Sequence, residues 1–134
     1  AKAFIRNFNM KEGAIASTVA HDSHNIVAVG VDDESICRAV NLLIREKGGV
    51  SCVTSGKEQV VGLPVGGLMS AEDGFKIAEQ YTSIDQLAKS TGSTLGAPFM
   101  TLSFMALLVI PEFKISDLGL FDAVNFRFSG LFTE

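Results

Sequence analysis

Both histidines of the chain lie within four positions of each other, in the run STVAHDSHN at residues 17–25. Two imidazoles, a carboxylate, a hydroxyl and an amide are groups that bind metals, transfer protons or form hydrogen bonds. On a helix or turn, a spacing of three brings His21 and His24 near one point, where Asp22 could complete a set of up to three metal ligands. The alternative is structural, with the histidines capping the loop through hydrogen bonds to backbone carbonyls. We call residues 21–25 the HDSHN loop.

The segments on either side of the loop are apolar and rich in β-branched residues. Residues 13–20 and 25–31 are therefore predicted to form two strands. Both are nearly continuous in apolar or small residues, which is typical of strands covered on both faces. The HDSHN loop is thus expected at a strand end, with both histidines at least partly accessible.

The remaining pattern predicts helices that cover a sheet. A helix is expected from the carboxylates at 32–34 to residues 47–49, where a glycine takes the left-handed conformation. Its apolar stripe is Ile36, Ala39, Val40, Leu43 and Ile44. Residues 50–54 and 58–63 are predicted to form a hairpin through a turn at 55–57. We expect a single α+β (mixed α/β) domain with helices packed on a mostly antiparallel or mixed sheet.

The second half of the chain predicts two further helices and one strand. A cap at Ser70, with Asp73 three positions on, predicts a helix to about Ser90 that ends at Gly92. Its predicted buried face consists of Ile77, Tyr81, Ile84 and Ala88. Pro98 is expected to open a short helix over 99–107. Residues 118–122 are predicted to be a turn region, and 125–132 the final strand.

Composition excludes several classes of protein. The chain has 134 residues, enough for one domain, and a net charge of −4 with scattered basic residues, so nucleic acid is not an expected partner. The longest apolar stretch, 104–111, is too short to cross a bilayer, and no secretory signal is visible. We expect a cytoplasmic protein in which Cys37 and Cys52 are buried free thiols. The motifs HxE…PCxxC, GxSxG, HExxH and the P-loop are all absent.

Two long blocks carry a resemblance to a known family. Residues 13–30, which include the HDSHN loop, and residues 98–112, beginning PFMTLSFMAL, resemble the C-terminal domain of bacterial adenine deaminase. The shorter stretches 39–41 and 67–70 fit the same pattern, so the resemblance runs from about residue 13 to the C-terminus. Leu108 departs from it, since a proline is expected there. Residues 1–12 have neither strand nor helix spacing and are interpreted as an arrival segment from an upstream domain, leaving 13–134 as the adenine deaminase C-terminal-like domain.

The resemblance implies a parent enzyme of the amidohydrolase superfamily. Such a metal-dependent hydrolase converts adenine to hypoxanthine and ammonia in purine salvage and adenine catabolism. Its divalent metal, manganese, iron or zinc, lies in a (β/α)8 barrel, where a bound hydroxide attacks the purine carbon that bears the amine. A barrel needs roughly 200 residues or more. We therefore expect no metal in this part of the enzyme, and no activity from the isolated chain.

The resemblance also gives the HDSHN loop a role at the mouth of the barrel. His21, Asp22 and His24 are then candidate accessory catalytic residues that hydrogen-bond the purine, orient the attacking water or support the metal ligands. Ser23 and Asn25 are candidate substrate-binding residues. Expected partners are adenine, the upstream barrel and further copies in a homo-oligomer. Two alternatives remain: a structural or oligomerisation module without a direct catalytic role, and a module that binds a small ligand.

Overall fold

The chain folds into two antiparallel sheets and three helices, and the computed structural model describes residues 1–132. The elements are β1 (Ala14–Ser17), β2 (Val27–Gly30), α1 (Asp33–Glu46), β3 (Gly49–Val53), β4 (Glu58–Gly62), α2 (Gly74–Ser90), α3 (Pro98–Phe104), β5 (Phe113–Ile115), β6 (Leu120–Asp122) and β7 (Arg127–Ser129). The predicted α+β class is confirmed, with both sheets antiparallel.

The larger sheet has the strand order β2-β1-β3-β4 and is covered on both faces. On one face, Ala14 and Ala16 pack against Leu43 of α1. On the other, Ile15 belongs to a cluster with Ile84 of α2 and residues of α3. This alternation follows from the two-residue period of a strand. The expected burial on both faces is confirmed for β1, whose residues are all buried.

Strand β2 lies at the edge of this sheet and is only half-buried. The amide of Val31 donates to the carbonyl of Gly13 at 3.0 Å, so these two residues form a hydrogen-bonded pair that continues the β1–β2 ladder. In an antiparallel pair the bonded positions alternate, so the backbone groups of Ala28 and Gly30 face the open edge. A groove of about 840 Å³ runs along this edge, between the N-terminal segment and β5–β6.

Helix α1 begins as predicted but ends differently. Asp32 caps it by accepting from the Ser35 amide at 2.7 Å, and the hydrogen bonds from Ser35 hold the pKa of Asp32 below its usual range. At the other end Lys47, not a glycine, takes the left-handed conformation at φ 62°. The prediction of a glycine there is wrong. A Cβ at Gly48 would lie 2.4 Å from the Cα of Gly67, and one at Gly49 would lie 2.0 Å from the carbonyl oxygen of Val61 in β4, so both positions require glycine.

The buried face of α1 is also shifted from the predicted stripe. Ala39 and Leu43 are buried as expected, but Leu42 is buried too, whereas Ile44 is 59% exposed. Consecutive helical residues are about 100° apart around the axis. A face centred on positions 39, 42 and 43 therefore turns Ile44 towards solvent.

The predicted hairpin of β3 and β4 is confirmed, with Val50 opposite Val61. Helix α2 begins after Asp73, whose carboxylate accepts from two backbone amides, and not at Ser70, which accepts from Glu72 in a separate turn. Ile84 and Ala88 are buried as expected. The other two predicted positions are less covered: Ile77 is partly buried and Tyr81 is 39% exposed. Helix α3 is shorter than predicted and carries proline at its first turn.

The last third of the chain forms a separate three-stranded sheet, in the order β5-β6-β7. Strand β7 lies inside the predicted final strand. The predicted turn region at 118–122 is confirmed for 118–119 and wrong for 120–122, which form β6. Strand β5 was not predicted at all. Strands of three residues are too short to show a period of two. The predicted domain extends to residue 134, and residues 133–134 lie outside the described residues.

The N-terminal segment is joined to the rest of the chain mainly through its second half. Phe8 is buried in the cluster beneath α2 and α3, and the Lys11 amide donates to the Thr91 carbonyl at 2.7 Å. Phe4, in contrast, is 86% exposed. Over residues 1–132 no helix is long and apolar enough to cross a membrane.

The two thiols differ in exposure. Cys52 in β3 is buried, and burial raises its pKa to about 12. Cys37 in α1 is exposed, so the expectation that both are buried is wrong for this residue.

We expect only Cys37 of the native chain to react with a disulfide reagent at pH 8. The thiolate is the reactive form, and at this pH the Cys52 thiol stays protonated and covered. The absorbance of the thiol that the reagent releases should show that one cysteine per chain reacts rapidly in the native state and that two react rapidly in denaturant. In Cys37→Ser the fast phase should disappear. Two fast groups in the native wild type would contradict the burial of Cys52.

Candidate functional site

The HDSHN loop lies where it was predicted, in the connection between the adjacent strands β1 and β2. The strands are shorter than predicted, so residues 18–26 form the connection. His21 is half-buried, and the four residues from Asp22 to Asn25 are exposed. The expectation that both histidines are at least partly accessible at a strand end is confirmed.

The base of this connection is anchored by hydroxyl groups. The Oγ1 of Thr18 donates to the carbonyl of Gly67 at 2.5 Å and accepts from the amide of Gly49 at 2.8 Å. Ser17 Oγ accepts from the amide of Val19 at 2.9 Å. Three segments that are distant in sequence are therefore joined directly below the loop, which fixes the point from which it projects.

His21 is held by the C-terminal end of α3. Its ring lies on the ring of Phe104, with centroids 4.4 Å apart and planes inclined by 34°. Its backbone amide donates to the carbonyl of Ser103 at 3.2 Å. The HDSHN and PFMTLSF blocks, about 80 positions apart in sequence, thus meet in space. Sequence reasoning predicted a helix over 99–107 but did not identify Phe104 as a partner of His21, because nothing in the local pattern joins the two blocks.

The rest of the loop is shaped by its backbone. The amide of His24 donates to the carbonyl of Ala20 at 2.8 Å, which closes a turn. Asp22 and His24 have positive φ values of 67° and 48°. Asp and His adopt this conformation more readily than most residues with a Cβ. Within residues 1–132 no hydrogen bond joins either imidazole to a backbone carbonyl, so the structural alternative in that form is not supported.

The proposed metal-ligand set is not assembled within the loop. In the described part of the chain, no group of three His, Cys, Asp or Glu side chains is placed to hold a metal ion. His21, Asp22 and His24 therefore do not form a metal centre by themselves, although they are close in sequence.

A small cavity of about 260 Å³ adjoins the loop. Ser23 and Asn25, the two candidate substrate-binding residues, line it on one side. Asp117, in the turn between β5 and β6, lines it too, as does Ala1. His21, Asp22 and His24 are not among its lining residues. The sequence contained no signal for Asp117, because its position depends on the unpredicted small sheet.

Comparison with known sequences decides the family. Residues 1–127 match the profile of the family described as the adenine deaminase C-terminal domain. The chain belongs to this family. An adenine deaminase C-terminal domain thus includes the whole HDSHN loop, helix α3 and the β5–β6 turn.

Several curated proteins resemble this adenine deaminase C-terminal domain closely, and each is named adenine deaminase. The protein of Sulfurovum sp. is 54% identical over 129 residues, which are 96% of this chain and 24% of that protein. The protein of Methanosarcina acetivorans is 52% identical, over 98% of this chain and 24% of its own length. The protein of Salinibacter ruber is 50% identical, over 100% of this chain and 25% of its own length. The chain therefore spans about a quarter of the length of the curated relatives it matches.

Proposed function

We propose that this chain is the C-terminal part of an adenine deaminase that hydrolyses adenine to hypoxanthine and ammonia. The observation that carries the proposal is the family match over residues 1–127. Residues 1–12 then connect the domain, residues 13–134, to an upstream catalytic barrel. We further propose that the enzyme acts in purine salvage in the cytoplasm and that its metal is manganese, with iron and zinc as alternatives. The proposal places the metal ligands in the upstream polypeptide; within residues 1–132 no group of three His, Cys, Asp or Glu side chains is placed to hold a metal ion.

Within this enzyme, the HDSHN loop is proposed to face the catalytic centre. Ala1 lines the same cavity as Ser23 and Asn25, so the first residue of the chain lies beside the loop. The side chains of Asp22 and His24 are exposed and available to a second surface. His21, held on Phe104, has the fixed ring plane that a proton carrier or hydrogen-bond donor requires.

The proposal is tested with the longer polypeptide, of which this chain forms the C-terminal part. We expect it to release ammonia from adenine when manganese is supplied, and the 134-residue chain alone to release none. The measurement is an ammonia assay with hypoxanthine quantified in parallel. A longer polypeptide that is inactive with manganese, iron and zinc would contradict the proposal, as would turnover by the isolated chain.

A structural role in assembly is the second candidate, favoured by the exposed apolar residues of the C-terminal sheet. Phe128 of β7 is 52% exposed, and Val124 and Phe126 of the preceding turn are 65% and 72% exposed. Phe126 and Phe128 both pack edge-on against Phe121, so they form one aromatic surface. Apolar surfaces of this kind often mark contacts between proteins. If the domain serves only in assembly, substitutions in the HDSHN loop would leave the turnover of adenine unchanged.

A further inference from the structure

The small cavity beside the HDSHN loop is bounded by two turns from different sheets. We call it the polar recess. Ser23 and Asn25 lie on the side of the β1–β2 connection, and Asp117 on the side of the β5–β6 turn. Its apolar wall comes from small or aliphatic residues, namely Ala20, Ala28, Ala106 and Ile115. A recess of about 260 Å³ with one apolar wall and a few polar groups suits a small, flat ligand.

The polar groups of the recess are free to bind. Asn25 and Asp117 are exposed, and within residues 1–132 no hydrogen bond engages either side chain. The turn that carries Asp117 is nevertheless fixed, because Ser116 Oγ accepts from the amides of Leu118 and Gly119. The turn that precedes Asn25 is closed by the His24 amide. Two anchored turns thus present an unused amide and an unused carboxylate to the same space.

We propose that the polar recess binds a planar nitrogen heterocycle that carries an exocyclic amino group, through Asn25 and Asp117. The inference rests on the proposed function, since adenine is a ligand of this class. The carboxamide of Asn25 matches the adenine edge, accepting from the amino group and donating to the adjacent ring nitrogen N7. The Asp117 carboxylate accepts the second amino hydrogen, as carboxylates do from amino groups of bases. The apolar wall contacts the ring face.

This arrangement distinguishes the substrate from the product of the proposed reaction. Hypoxanthine carries an oxygen where adenine carries the amino group. That oxygen donates no hydrogen, so in the pose adopted by adenine the Asn25 oxygen and the Asp117 carboxylate would both face another acceptor. An acceptor that a bound ligand covers without offering a donor loses its hydrogen bonds to water, which lowers the affinity. The recess should therefore favour adenine over hypoxanthine, and release the base once it has been deaminated.

The test uses the 134-residue chain itself, labelled with ¹⁵N and titrated with adenine and then with hypoxanthine. With adenine we expect saturable NMR shifts confined to residues 20–28, 105–107 and 115–119, and for hypoxanthine an affinity lower by about tenfold or more. Asn25→Ala and Asp117→Asn should each weaken adenine binding by a similar factor. Asn41→Ala and Asp33→Asn, exposed on α1, are the matched controls and should change nothing. A thermal melt by circular dichroism verifies that each variant is folded.

Several outcomes would overturn the recess as a binding site. These are no saturable shift with adenine, equal affinity for the two bases, shifts centred elsewhere, or wild-type binding by both recess variants. The two proposals fail separately. If the longer polypeptide deaminates adenine but the 134-residue chain does not bind it, only the proposal for the recess is refuted. Adenine binding by the chain, beside an inactive longer polypeptide, refutes the deaminase alone.

Discussion

In the longer enzyme, His21→Ala and Asp22→Ala are expected to lower kcat by about 10²–10⁴-fold, which is the usual contribution of a positioned acid–base group. Their effect on stability should be small. Asp22 is exposed, and His21→Ala loses mainly its contact with Phe104, which is worth about 1 kcal/mol. Steady-state kinetics with adenine, beside thermal melts and metal analysis of each variant, provide the measurement.

The controls separate a catalytic from an architectural loop. Asp33→Ala removes an exposed carboxylate on α1, outside the loop, and should leave kcat unchanged. Phe104→Leu keeps His21 but removes the aromatic ring beneath it, so we expect a smaller loss of kcat with an altered pH profile. Wild-type turnover in both His21→Ala and Asp22→Ala, with a lowered melting temperature, would assign the loop to architecture. Catalysis would then belong entirely to the upstream polypeptide.

Gly49→Ala is expected to lower the stability of the domain strongly. Gly49 has φ 140°, and a Cβ at this position would lie 2.0 Å from the carbonyl oxygen of Val61 on the paired strand β4. The backbone strain and the clash together should cost more than about 3 kcal/mol. This is a large part of the roughly 5–15 kcal/mol that stabilises a domain. Urea denaturation should show a much lower midpoint or no folded baseline.

Gly56→Ala is the matched control in the same hairpin. A Cβ at Gly56 would meet no atom within 4 Å. We therefore expect its free energy of unfolding to stay within about 0.5 kcal/mol of wild type. If Gly49→Ala unfolded at the wild-type urea concentration, the close packing of β3 against β4 would be wrong.

The sequence predicts best where local pattern and burial agree. Residues 14–17 and 27–30 are β-branched or small and lie in the covered sheet, so the strands and the loop between them are predicted correctly. Lys47 is mispredicted because left-handed helix ends favour glycine, whereas here the glycines are needed one and two positions later. Strands β5 and β6 are missed because each contains only three residues.

The candidate site depends more strongly on tertiary contacts. The HDSHN loop is visible in the sequence as a cluster of polar residues between apolar segments. The contact between His21 and Phe104 is not visible in the sequence, because the two residues are 83 positions apart. Asp117 reaches the recess only through the small sheet, which the sequence did not predict. The family resemblance rests on residues 13–30 and 98–112, but it did not show that these two blocks contact each other.

The open edge of β2 determines how the chain behaves when it is concentrated alone. Along residues 27–31, Val-Ala-Val-Gly-Val, neither a charged side chain nor a proline interrupts the row of unpaired amide and carbonyl groups at Ala28 and Gly30. Such an edge is a template for strands of other molecules and a recognised cause of aggregation. The edge therefore makes self-association of the 134-residue chain an expected hazard at high concentration.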